Sequence, residues 1–211
     1  MLTMKDIFHQ ILVLPLSLLL LGFYTYFNDL GISIIFLTFL IKLLLLPFSF
    51  MQFIEEKKLQ KIRTRIDNET KEIKDLLQKA EIMNKIYQEE NFNPFKNFVI
   101  QLTPLPIYLA FIFSIYDVSK KILNPFWFGF INLIKPNFYL ASFVVFLNFY
   151  YAFTQPPENR KILLFVLGII SVIIFTLPAF LVLYFLVTLI LSLLERRIFN
   201  WYYIKFIIKS I

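Results

Sequence analysis

The sequence predicts an all-α integral membrane protein, a five-span helical bundle with an N-terminal interfacial helix and a cytoplasmic charged helical hairpin. Three observations predict it. Hydrophobic residues make up 59% of the 211 positions and charged ones 17%, against roughly 45–50% and 25% in soluble domains. All 14 acidic residues lie outside the long apolar stretches or at their ends, and of the 21 basic residues only Lys42 stands deep inside one. Finally, apolar stretches recur with lengths near the ~20 residues that cross a ~30 Å hydrocarbon core.

The N-terminal element covers residues 1–30. Within it, Pro15 interrupts the apolar run 7–27, and Phe23, Tyr24, Tyr26 and Phe27 form a belt of the kind found at membrane interfaces. A helix lying in the outer interface is therefore favoured over a full span. No small-residue cleavage site follows residues 11–21, so this segment is expected to remain in place. The first span is 31–53, and four more fall within 97–194, at 97–117, 137–155, 161–177 and 179–194. Only Pro178 separates the last two, which form a tight helical hairpin or a single kinked element. At ~1.5 Å per residue they reach ~25 Å, which a locally thinned bilayer accommodates. Pro47, Pro104, Pro106 and Pro178 mark kinks or span ends, since each removes a helix hydrogen bond.

Between the first two spans, residues 54–96 hold ten basic and nine acidic side chains. Apolar residues recur there at Ile54, Leu59, Ile62, Ile66, Ile73, Leu76, Leu77, Ala80, Met83 and Tyr87, close to a helical period. The pattern predicts two charged helices packed as a hairpin, with the turn at Asp67-Asn68 or at Lys74-Asp75. The same side of the membrane receives Arg160, Lys161, Arg196, Arg197, Lys205 and Lys209, sixteen basic residues in all against Lys120, Lys121 and Lys135 opposite. By the positive-inside rule the hairpin and the basic tail, 195–211, face the cytoplasm.

Several function classes drop out. There is no cysteine, one histidine (His9), and only four glycines, so no thiol chemistry, metal-ligand spacing, phosphate loop or catalytic triad can be assembled. No catalytic residue, metal or cofactor is expected, and His9 reads as an interfacial helix residue. The net charge of +7 is read as a topology signal, because no basic helix stands free of the spans. Direct nucleic-acid recognition is not expected.

Lys42 lies about ten residues from either end of its span. A lysine at a helix centre costs at least ~2.5–3.5 kcal/mol on insertion scales, so it should face protein or water. At 100° per residue Thr38, Lys42, Ser49 and Gln52 share one sector. Other spans carry polar sectors too: Asn97, Gln101 and Tyr108; Asn148, Tyr151 and Gln155; Tyr184, Thr188 and Ser192, continuing to Glu195. Singly, such residues commonly tie helices together. Together, around a cation with no carboxylate inside the spans, they predict a hydrated groove in which Lys42 meets water, a hydroxyl, a backbone carbonyl or a substrate.

Four blocks carry a family resemblance. GISIIFLTFLIKLLLLP (residues 31–47) resembles the first core span of the YidC/Oxa/Alb membrane insertases, with Lys42 at their signature arginine. YQEENFNP (87–94) followed by Leu105-Pro106-Ile107 is similar to their hairpin exit and second span, and LPAFLVLYFLVT (177–188) to a late span. ILVLPL (11–16) resembles their entry segment, an amphipathic helix on the outer face. The sequence departs at Lys42, which keeps the charge but loses the planar fork of arginine, and at Phe180 and Phe185, where the family usually has Gly and Trp. The large periplasmic domain of some members is not expected.

The resemblance implies a turn near Lys74-Asp75, a groove open to cytoplasm and lipid, and a non-enzymatic insertase and chaperone for nascent membrane proteins. It also implies a cytoplasmic (inner) membrane location and contact with membrane lipids. The ribosome and a Sec-type channel are further candidate partners, and a monomer is expected. Two rival readings are a small transporter or channel, which lacks the usual acidic relay, and a structural subunit of another membrane complex.

Overall fold

The computed structural model describes residues 4–71, 73, 75–122, 125–153 and 157–207. In chain order come α1 (Met4–Phe8), a π-helical turn (His9–Val13), α2 (Leu14–Phe27), α3 (Leu30–Thr70), α4 (Leu76–Glu89) and α5 (Pro94–Leu102). Then follow α6 (Leu105–Ser119), β1 (Phe126–Trp127), β2 (Ile131–Asn132), α7 (Phe138–Phe153), α8 (Pro157–Thr176) and α9 (Ala179–Tyr202), which ends in a π-helical turn over Tyr203–Ile207. The chain is an all-α membrane protein. Four helical stretches are long and apolar enough to cross a bilayer, Asp6–Phe27, Leu30–Thr70, Pro94–Ser119 and Ala179–Lys205, and Phe138–Phe153 and Leu164–Thr176 are shorter apolar helices.

The boundaries differ from the sequence expectation in instructive ways. The first span and the first hairpin arm are one 41-residue helix with Pro47 inside it, because the junction Ile54-Glu55-Glu56-Lys57-Lys58 contains strong helix formers and no breaker. The span expected at 97–117 breaks at Thr103-Pro104 into α5 and α6. Pro178 sits between α8 and α9, which are separate helices. Pro15 does not stop its helix: the turn before it widens to the π form, which accommodates the hydrogen bond that its ring cannot donate. The whole N-terminal stretch is thus among those long enough to span, although the sequence favours a surface helix.

Two compact units emerge. The first comprises residues 1–44 and 106–197. At one end the short β1–β2 hairpin, paired Phe126 to Asn132 and Trp127 to Ile131, holds the starts of α3 and α9. Asp29 accepts from the backbone N–H of Ile32 and, at 2.7 Å, from that of Phe128. Gly31 is required there, because a Cβ would overlap the Trp127 indole ring and lie 2.7 Å from its Cβ. The Leu133 and Lys135 carbonyls accept from Phe180 and Ala179, satisfying N–H groups that the first turn of α9 leaves free. Leu20, Leu30, Ile34, Phe111, Leu133, Phe180 and Leu183 are fully buried in this unit.

The second unit comprises residues 45–105 and 198–211. Its hairpin pairs the C-terminal part of α3 with α4 around Ile62, Ile86 and Phe92, with Leu59, Ile66, Ile82 and Tyr87 packed against them. Asp67-Asn68 lies within α3, and the turn follows Thr70. Lys74 is outside the described residues, while Asp75 caps α4 by accepting from the Leu77 N–H at 3.0 Å. Asn93 caps α5 in the same way. Leu76 and Leu77, which the helical period groups with the hairpin core, are exposed, since they begin α4 beyond the reach of the opposing arm.

Candidate functional site

The two helix starts at the β-hairpin set a common register. Lys42 is the thirteenth residue of α3 and Ser192 the fourteenth of α9, so both lie roughly 18–20 Å along their helices at 1.5 Å per residue. The Lys42 ammonium donates to Ser192 Oγ at 2.9 Å and to Glu195 Oε2 at 3.1 Å. Lys42 is buried, and its side chain and that of Glu195 are 8% and 15% exposed. This corrects the expectation that no carboxylate reaches the cation. The apolar run ends at Leu194, but α9 continues to Tyr202, which keeps Glu195 one turn from Ser192 on the same face. The expected hydroxyl partner is present as Ser192.

Around that pair the structure sorts the other predicted residues. Tyr184 is buried and meets Phe111 edge-on at 5.4 Å. Tyr108 is half-buried and within electrostatic reach of both Glu195 and Tyr184. Thr188 is half-buried, one turn from Tyr184 and one from Ser192. The Tyr151 ring lies 5.7 Å from the Arg196 guanidinium, a basic residue that the sequence assigns only to topology. Thr38 and Asn148 spend their donors on their own helices, on the Ile34 and Val144 carbonyls at 2.6 and 2.9 Å. Gln155 lies outside the described residues. The remaining predicted residues belong to the second unit. Ser49 is half-buried. The Gln52 amide donates to the Ile100 and Gln101 carbonyls at 3.0 and 3.2 Å, and the exposed Gln101 donates to Asn97 Oδ1 at 3.5 Å. Gln52, Glu56, Leu59, Arg63 and Gln101 line a polar cavity of about 430 Å³.

The buried lysine, answered by a glutamate and a serine, stands on the span that resembles an insertase core. Residues 22–205 match the 60Kd inner membrane protein family. The chain belongs to this family. Similar proteins include the membrane protein insertase YidC of Endomicrobium trichonymphae, 28% identical over 195 residues that cover 84% of this chain and 37% of the relative. Those of Aquifex aeolicus and Buchnera aphidicola are each 26% identical, covering 89% and 87% of this chain and 38% and 36% of the relative. The chain spans just over a third of the length of these curated relatives.

The YidC/Oxa/Alb resemblance read from the four blocks is thereby borne out, and two of its departures can be placed. Phe180 is buried, with its backbone N–H on Leu133, so the core of the first unit accommodates the ring. Phe185 is 37% exposed, on the outward side of α9. Among the described residues no group of His, Cys, Asp and Glu could hold a metal ion. His9, read as an interfacial residue, meets Asp117 at 3.1 Å.

Proposed function

We propose that this chain is a membrane protein insertase, in which a polar groove around Lys42 receives the polar flank of a nascent membrane protein while its apolar segment moves into lipid. The carrying observation is Lys42 at the family's signature basic position, held inside a span by Ser192 and Glu195. Transfer of apolar surface from water to bilayer drives the step, and no covalent bond is made or broken. Because Lys42 is already paired with Glu195, an incoming carboxylate must exchange with that glutamate, so any preference for acidic translocated flanks depends on that exchange. Topology follows the basic residues, with the hairpin and C-terminus cytoplasmic. Ribosomes carrying nascent membrane proteins, and a Sec-type channel, are the partners that suit a cytoplasmic hairpin. The test uses a strain depleted of its own insertase and a single-span substrate with an acidic tail. Wild type should restore insertion, and Lys42→Ala and Lys42→Glu should not. Equal insertion by all three would show the charge to be dispensable.

A further inference from the structure

We infer that Gln52 is a positioning residue: its side-chain amide is the cap of a helix that Pro104 breaks inside the membrane-spanning segment Pro94–Ser119, replacing the backbone donor that proline lacks. In an uninterrupted helix the carbonyls of Val99, Ile100 and Gln101 would receive the N–H groups of residues 103, 104 and 105. Val99 receives both the backbone N–H and the hydroxyl of Thr103, at 3.1 and 3.0 Å. Position 104 has no N–H to give Ile100. Leu105, the expected partner of Gln101, opens the next helix. The two carbonyls left over are the two on which Gln52 Nε2 lies, at 3.0 and 3.2 Å.

An amide nitrogen carries two hydrogens, so one side chain can serve both carbonyls. The nearest amide on the broken helix itself is not directed there, since Gln101 donates back to Asn97. Gln52 lines a polar cavity with Glu56, Arg63 and Gln101 at the end of its span. A carbonyl orphaned there has water or a protein donor to turn to, and Gln52 supplies the protein donor. Gln52 is half-buried and stands on α3, which is unbroken through this region. Its bonds therefore do more than satisfy two acceptors: they fix the end of α5 to α3. Any effect of that joint on insertion rests on the reading proposed above.

The experiment is a double-substitution cycle on the purified full chain in lipid nanodiscs. Gln52→Met removes both donors at nearly constant length, and Gln52→Glu keeps the shape but turns donors into acceptors. Both should lower the apparent Tm by about 2–4 °C, the shift expected in a chain of this size for one lost interaction of ordinary strength. Both should also speed amide exchange at Thr103. Pro104→Ala restores an N–H that can reach the Ile100 carbonyl, so in that background Gln52→Met should cost less than half as much. If Gln52→Met fails to accumulate, its recovery in the Pro104→Ala background reads the same coupling. Equal losses in the two backgrounds, or no loss in either, would overturn the cap. Insertion by the same variants is scored separately. Coupled losses of Tm with unchanged insertion would leave the cap standing and remove its link to the proposed function.

Discussion

Lys42 and Arg65 stand on the same helix and each meets glutamate, but the lysine side chain is 8% exposed and the arginine 39%. Lys42 has one carboxylate and one hydroxyl, both fixed on α9. Arg65 has three carboxylates, Glu69 on its own arm at 2.8 Å and Glu89 and Glu90 at the end of the other, at 2.6 and 3.3 Å. Hydrogen bonds with Glu69 and then Glu89 hold its guanidinium above its ordinary pKa. Counting bonds would rank Arg65 as the stronger anchor. Exposure reverses the ranking, because water and salt compete for the outer cluster and cannot easily replace either partner of the inner pair.

The largest effect should come from breaking the inner pair on one side only. Lys42→Met leaves Glu195 largely buried without its cation, at a cost of about 3–5 kcal/mol. A double Lys42→Met, Glu195→Met variant removes both charges and should regain most of the loss in denaturant titrations. A single substitution no more costly than the double would mean that water reaches Glu195 and that the contrast with Arg65 is one of geometry, not of burial.

If ion pairs contribute little to the hairpin, its apolar contacts must hold it. Ile62 and Ile86 are each 1% exposed and Phe92 7%. Ile86→Ala should then cost about 2–4 kcal/mol. The loss should appear as local opening, with proteolysis between Thr70 and Leu76 accelerated while protection of the α9 amides stays unchanged.

Much of this was legible because bilayer and helix impose simple periods. The segregation of charge identified the spans, and the apolar period of 54–96 identified the hairpin that Ile62 and Ile86 close. Lys42 was legible as an anomaly, and Ser192 as part of a polar sector. Glu195 was named in that sector but not as a partner, since pairing depends on the relative register of α3 and α9. That register is set by contacts far along the chain, Asp29 with Phe128 and Leu133 with Phe180. No local pattern encodes such contacts. Gly31 shows the same limit: it reads as part of a motif, and only the Trp127 ring against its α-carbon explains why a side chain is excluded.

The smallest effect should come from Arg65→Gln. It removes the ion pairs that join Arg65 to Glu69, Glu89 and Glu90 while leaving Ile62, Ile86 and Phe92 in contact. At low ionic strength Glu69, Glu89 and Glu90 would then lose Arg65 as their shared partner, and the hairpin should open slightly more often. Raising salt to about 1 M shortens the screening length to ~3 Å and should erase the difference from wild type. The measurement is protease sensitivity of the hairpin across a salt series, with Ile86→Ala alongside. Ile86→Ala should remain sensitive at every salt concentration, because apolar burial is not screened. If Arg65→Gln matched it at high salt, Arg65 would be acting through the packing of its aliphatic stem on the hairpin rather than through charge.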